Sequence, residues 1–188
     1  MPGEVLVAFG TRHESTRGIA AAVADVLRGA GIAVSFGPVE AVGNLGPVRA
    51  AVLGSAVWDG EWLPGACAFL LAHERNLAAI PVWLYASGPL VHIPAGVEAD
   101  LPDDLVEVIG RIRPRDFALF AGATQPHHLA SGLRLLSKLA RSDVRDHRDW
   151  AAIERWANGI RDALLAEAPV PGQSSFRAED SHHPDENA

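Results

Sequence analysis

The stretch Val5-Leu6-Val7-Ala8-Phe9-Gly10-Thr11-Arg12-His13-Glu14-Ser15-Thr16 decides the fold. Its apolar first half predicts a buried strand, and the amphipathic run that starts at Arg17 predicts a helix directly after it. A helix N-terminus has unpaired backbone N–H groups and the positive end of the helix dipole, and both attract anions. The hydroxyl-rich turn therefore predicts an anion site, with phosphate the best match for its hydroxyls. The alternative is that Ser15 only caps the helix, which needs no ligand.

Composition excludes several classes of protein. The chain has 188 residues, 48% of them hydrophobic, and a formal net charge of −7, which argues against a nucleic-acid-binding protein. Cys67 is the only cysteine, so neither an internal disulfide nor a cysteine-ligated metal centre is expected. No apolar run is long enough to cross a bilayer, and no signal-peptide pattern opens the sequence. We therefore expect a cytoplasmic protein with one domain.

Five apolar runs alternate with amphipathic segments and predict a doubly wound α/β fold. Their near-continuous hydrophobicity is typical of parallel strands covered on both faces. The predicted strands are residues 4–9, 32–36, 49–54, 81–86 and 117–121, with Gly37 and Pro38 ending the second. The last helix is predicted to begin near Asp149, with a buried stripe at Trp150, Ile153, Ala157, Ile160 and Leu164.

Three loops follow the first, third and fourth predicted strands. They comprise residues 11–16, 55–62 and 86–90. In doubly wound sheets, ligands bind beyond the carboxyl ends of the strands, where such loops meet. The sequence therefore places one binding site across these three loops.

The same loops and the start of the last predicted helix contain sequence motifs that resemble a known family. The motifs are Val-Ala-Phe-Gly-Thr-Arg-His-Glu-Ser-Thr-Arg-Gly-Ile-Ala at 7–20, Leu-Gly-Ser-Ala-Val-Trp-Asp-Gly-Glu-Trp-Leu-Pro at 53–64, Val-Trp-Leu-Tyr-Ala-Ser-Gly-Pro-Leu at 82–90 and Arg-Asp-Trp-Ala-Ala-Ile at 148–153. In this order they resemble the flavodoxin family, nearest its branch of menaquinone-dependent protoporphyrinogen dehydrogenases. The resemblance implies a five-stranded parallel sheet of order 2-1-3-4-5 with helices on both faces. It also implies one domain over residues 1–167, and residues 168–188 are expected to be a disordered tail because they are rich in Pro, Gly, Ser, Asp and His.

Members of this family bind FMN non-covalently, so the resemblance implies FMN here. Their phosphate loop reads Thr/Ser, any residue, Thr/Asn, Gly, any residue, Thr. Thr11 and Thr16 match its ends, whereas His13 replaces the middle residue and Glu14 stands in the place of glycine. A carboxylate about 5 Å from a phosphate charge costs roughly 3 kcal/mol at an effective dielectric of about 20, unless it points to water. Glycine is also the residue that adopts positive φ most easily.

The second and third loops are expected to hold the flavin ring. Trp58 is the predicted stacking partner, and Trp62 is a second candidate whose alternative is packing beneath the next helix. Asp59 is expected to be solvated; near N1 of the flavin it would lower the redox potential. Cofactor contacts are expected at Thr11, Arg12, His13, Glu14, Ser15, Thr16, Ser55, Ala56, Val57, Trp58, Asp59, Gly60, Ser87, Gly88, Pro89 and Leu90.

Other residues with chemical potential are expected to have structural roles. Cys67, His73 and Trp83 are predicted to pack in the interior, and the pair His127-His128 is expected to be solvated rather than metal-binding. Residues 129–141 form a basic amphipathic segment. It is either an ordinary surface helix or a contact for the flavin, a membrane surface, a quinone or a partner.

The leading functional hypothesis is an FMN-dependent oxidoreductase or electron carrier in which no side chain acts as acid or base. A quinone or a tetrapyrrole precursor as substrate follows only from the resemblance. The alternative is a flavodoxin-like module without flavin that binds a protein or another anion, and His13 and Glu14 favour it. A homodimer is left open.

Overall fold

The computed structural model describes residues 3–12, 14–58, 61–88, 103–122 and 148–167. It forms a sheet whose parallel strands have the order β2-β1-β3-β5-β6, while β4 pairs antiparallel with β3. The strands are β1 Glu4–Gly10, β2 Val34–Pro38, β3 Val48–Trp58, β4 Glu61–Trp62, β5 Val82–Gly88 and β6 Asp116–Ala121. The predicted fold class and the order of its five parallel strands are confirmed.

Helices cover both faces of this sheet. They are α1 Ser15–Gly29, α2 Pro64–Leu77, α3 Asp103–Ile112 and α4 Trp150–Ala166, with a short 3-10 helix at Val39–Ala41. Side chains alternate along the strands, so Val5 and Val7 face α1 and α4 while Leu6 and Ala8 face α2 and α3. None of the described helices is both long and apolar enough to span a membrane.

Several predicted strand ends are wrong. β3 continues to Trp58 and β5 to Gly88, because each is hydrogen-bonded to a neighbouring strand beyond its apolar run. β2 starts two positions later than predicted and includes Gly37 and Pro38. Proline is tolerated there because β2 lies at the sheet edge and need not donate from its nitrogen. The two-residue strand β4 was not predicted.

The last helix begins as predicted but packs differently at its first residue. Asp149 caps it, since its carboxylate accepts a hydrogen bond from the Ala152 N–H at 2.9 Å. Ile153 and the other three members of the predicted stripe are buried, whereas Trp150 is 44% exposed, so its predicted burial is wrong. Trp150 precedes the packed turns of the helix and lies instead against the Arg148 guanidinium, 4.3 Å from the ring centroid.

The predicted interior packing holds for Trp83 and only in part for Cys67 and His73. Trp83 is buried, and Cys67 and His73 are half-buried on α2. Pro64 occupies the first turn of α2, as predicted. The pair 127–128, the segment 129–141 and the tail 168–188 lie outside the described residues.

Candidate functional site

The carboxyl ends of β1, β3 and β5 lie side by side. Gly10 pairs in register with Ser55, Ser55 with Ala86, and Ala56 with Ser87. The ends of the three predicted loops are therefore neighbours at one edge of the sheet. Within these loops His13, Asp59, Gly60, Pro89 and Leu90 lie outside the described residues.

The turn after β1 leads directly into α1. Glu14 is the N-cap residue and has φ 61° and ψ −10°, in the left-handed region that favours glycine. Ser15 is the first helical residue, so the alternative in which Ser15 caps the helix is wrong. The Gly18 N–H donates to the Glu14 carbonyl at 3.1 Å, which starts the helical hydrogen bonds at this residue. Glu14 stands where the phosphate-loop pattern has glycine, and its backbone has the conformation that glycine adopts most easily.

The Glu14 carboxylate does not cap α1. It makes no capping hydrogen bond and instead pairs with the Arg17 guanidinium at 2.8 Å. Both side chains are more than half exposed, so water screens the charge of the carboxylate. Glu14 therefore leaves the helix N-terminus open to an anion.

Glu14 makes the protein less stable than glycine would at this position. We expect Glu14→Gly to raise the free energy of unfolding by about 1 kcal/mol, because glycine adopts positive φ without the steric cost. Chemical denaturation measures the change. Glu14→Ala is the control, since it also removes the carboxylate but keeps the strained conformation. Equal stabilisation by both substitutions would show that the carboxylate charge of Glu14, and not its backbone strain, destabilises the folded protein.

Thr11 presents an unsatisfied polar atom at the same turn. Its Oγ1 is buried and has no hydrogen-bond partner within the part of the chain that the structure describes. An unpaired buried hydroxyl costs about 1–3 kcal/mol, so such groups are uncommon in folded proteins. A ligand oxygen beside Thr11 and the N-terminus of α1 would satisfy it. The donors at this turn therefore fit an anionic, oxygen-rich group such as a phosphate.

Thr16 and Ser87 contact each other. Thr16 is fully buried, and its Oγ1 is hydrogen-bonded to Ser87 Oγ at 2.8 Å. The Tyr85 hydroxyl donates to the Thr16 carbonyl oxygen at 3.1 Å. Two hydrogen bonds thus join β5 to the first turn of α1.

The end of β3 exposes one tryptophan and buries another. Trp58 is 56% exposed, and the Arg12 guanidinium lies 4.8 Å from its ring centroid. Trp62 is only 3% exposed and belongs to the core beneath α2, which confirms its packing alternative. Trp58 therefore remains the candidate for stacking on a flat aromatic ligand.

Backbone and hydroxyl contacts fix the loop ends beside Trp58. Ser55 Oγ is buried; it accepts from the Leu63 N–H at 3.0 Å and donates to the Ala56 carbonyl at 2.9 Å. The Gly88 carbonyl accepts from the Gly122 N–H at 2.7 Å. Ala56 and Val57 are half-buried. The Ser55 hydroxyl and the Gly88 carbonyl therefore both have hydrogen-bond partners within the protein.

Arg148 is a cation near this turn that the sequence argument did not find. Its guanidinium lies against Gly18 of α1, in space that any side chain at position 18 would occupy. With Arg12 and Arg17 it makes this end of α1 basic in a chain whose net charge is −7. Arg148 is distant from Gly18 in the sequence, and the fold brings the two together. A glycine inside a predicted helix can have a packing reason, and Gly18 is in this sense a sequence signal for the contact.

Comparison with known proteins gives one family and several structures. A model of the flavodoxin domain family matches residues 6–145. Rubredoxin oxygen:oxidoreductase from Desulfovibrio gigas has a TM-score of 0.59 at 16% identity; the match covers 87% of this chain, which spans only 36% of that one. The flavodiiron core of Flv1 from Synechocystis gives 0.59 at 13% identity, covering 88% and 36%.

A variant of the flavodoxin from Pseudomonas aeruginosa is similar over its whole length. Its TM-score is 0.58 at 14% identity, and the match covers 86% of this chain and 99% of that one. At such identities the similarity shows a shared fold. Comparison with curated protein sequences gave no match.

Proposed function

The chain belongs to the flavodoxin domain family, and from this premise we propose that it binds FMN at the ends of β1, β3 and β5 and transfers electrons through it. The observation that supports the proposal most is the buried hydroxyl of Thr11, which has no hydrogen-bond partner among the described residues and lies four residues before the start of α1. Bound flavin supplies the electron and hydride chemistry, and the protein supplies binding and electrostatics.

Thr11 and the first N–H groups of α1 would bind the phosphate of FMN. Hydrogen bonds from hydroxyl and amide donors to an anion are stronger than those between neutral groups. Arg12 and Arg148 would offset the phosphate charge, while Arg17 neutralises Glu14. The phosphate site is thus built from one side chain, backbone amides and nearby cations.

Trp58 would stack on the isoalloxazine ring. Its exposed indole stands at the carboxyl end of β3, next to the end of β5. Backbone groups of residues 56–58 and 87–88 would contact the edge of the ring, as the sequence predicts. His13, Asp59, Gly60, Pro89 and Leu90 complete the set of contacts that we propose from the sequence.

The purified protein tests this proposal directly. We expect a yellow protein whose visible spectrum is that of a flavin, whose released ligand has the mass of FMN, and whose colour is bleached by dithionite. Apoprotein should quench FMN fluorescence in a saturable titration. A colourless protein that leaves FMN fluorescence unchanged at millimolar FMN would overturn the proposal and favour a flavodoxin-like module without flavin.

We propose a quinone as the electron acceptor, on the resemblance of residues 53–64 and 148–153 to quinone-linked dehydrogenases. Anaerobic mixing of the reduced, FMN-loaded protein with a soluble naphthoquinone tests this. Reoxidation should be faster than that of free reduced FMN and should saturate with quinone concentration. A rate equal to that of free reduced FMN would contradict the quinone assignment and leave the FMN proposal intact.

We also propose that the protein is located in the cytoplasm.

A further inference from the structure

We propose that Tyr85 and Ser87 are positioning residues for the phosphate site, because they hold Thr16 and with it the first turn of α1. This inference rests on the proposed binding of FMN. It gives the hydroxyls of Thr16 and Ser87 an indirect role, while the backbone of Ser87 keeps its proposed contact with the flavin edge.

Both hydrogen bonds to Thr16 are buried. Tyr85 and Thr16 have no exposed surface, and Ser87 is 2% exposed. The two bonds measure 3.1 Å and 2.8 Å and join positions about 70 residues apart. Away from water such bonds are stronger and a broken one is costly, so the geometry at Thr16 is well determined. We call this pair of bonds the β5 clamp.

The Tyr85 ring is held rigidly. It packs edge-on against Trp156, with ring centroids 5.7 Å apart, and against Phe120 at 6.1 Å. On its other side it covers Gly54 of β3, where any side chain would collide with the ring. The position of the Tyr85 hydroxyl is thus set by the core, and the clamp extends that rigidity to α1.

Thr16 is the second residue of α1, so its orientation fixes the direction of the N–H groups in the first turn. Binding of a phosphate at a helix N-terminus depends on those directions. The Thr16 hydroxyl itself faces Ser87 inside the protein. Its contribution to phosphate binding is therefore expected to pass through the clamp.

Binding of FMN and of riboflavin, which lacks the phosphate, separates this role from general destabilisation. We expect Ser87→Ala and Thr16→Val each to weaken FMN binding by about threefold to tenfold, and to change riboflavin binding by less than about twofold. Because either substitution breaks the same bond, the double variant should lose less than the product of the two single losses. Thr16→Ser keeps the hydroxyl and should restore FMN binding.

Tyr85→Phe tests the other half of the clamp and should also weaken FMN more than riboflavin. Arg111→Ala is the stability control, because it removes hydrogen bonds to Glu74 of α2 and Glu107 of α3, on the face of the sheet opposite the Tyr85 ring. It should leave the ratio of FMN to riboflavin affinity unchanged. All variants are compared by thermal unfolding.

The outcomes separate the two proposals. If Thr16→Val weakens FMN binding while Ser87→Ala and Tyr85→Phe do not, Thr16 is a direct ligand and the clamp is overturned. If the wild type binds FMN and none of the three variants changes that binding, the clamp is overturned while the proposed function stands. Wild-type protein that binds no FMN overturns the proposed function as well.

Discussion

Thr11→Val is expected to weaken FMN binding by about tenfold to one-hundredfold while leaving the protein as stable as before or more stable. The hydroxyl is buried and has no partner in the part of the chain that the structure describes, so we expect it to add little to the stability of the free protein. A hydrogen bond to a charged phosphate is worth about 1.5–3 kcal/mol, which gives the expected loss of affinity. The methyl group of valine fills the same space without a polar atom.

The opposite signs of the two effects make this substitution informative. Fluorescence titration measures FMN affinity, and chemical denaturation of the apoprotein measures stability. Ser35→Ala on the edge strand β2 is a control at a half-buried hydroxyl far from the site, and it should leave FMN affinity unchanged. A clear loss of stability in Thr11→Val, or equal weakening of FMN and riboflavin, would mean that the hydroxyl has a structural role instead.

Alkaline unfolding linked to Tyr85 is the second large effect. Tyr85 is the only tyrosine in the chain, and complete burial raises the pKa of its phenol far above the ordinary value. The folded state therefore keeps a proton that the unfolded state releases above about pH 10. The associated stability is complete below that pH and falls by about 1.4 kcal/mol per pH unit above it.

Ultraviolet absorbance of tyrosinate reports on this single residue. We expect it to rise together with the loss of the far-ultraviolet circular dichroism signal, and not before. In Tyr85→Phe the free energy of unfolding should fall less steeply above pH 10 than in the wild type, and the difference in slope isolates Tyr85 from the other titrating groups. Reversible ionisation in a fully folded protein would show that the phenol is accessible to water.

The parallel strands were predictable because each contains a nearly continuous apolar run, whereas their order followed from the resemblance to the flavodoxin family. The ends of β3 and β5 were not predictable in the same way. Ser55 and Ser87 extend their strands through pairing with neighbours that lie about 30 residues or more away in the sequence, and Trp58 extends β3 through pairing with Glu61 of the short strand β4. A local pattern of polar residues cannot report such pairing, so these positions were predicted as loops.

The candidate site likewise combines features that local sequence predicts with features that depend on contacts between distant segments. The turn at residues 11–16 and the exposed Trp58 were predictable from local sequence. Positive φ at Glu14 agrees with its place in the family pattern, but the direction of its carboxylate depends on the pair with Arg17. The clamp at Thr16 and the approach of Arg148 to Gly18 arise between distant segments, and only the fold reveals them.

A crystal structure of the protein grown with excess FMN would show where the phosphate binds. We expect phosphate oxygens about 3 Å from Thr11 Oγ1 and from the first amides of α1, with the Glu14 carboxylate still paired to Arg17. Density for the Glu14 carboxylate over those amides, with no phosphate bound there despite saturating FMN, would contradict this expectation.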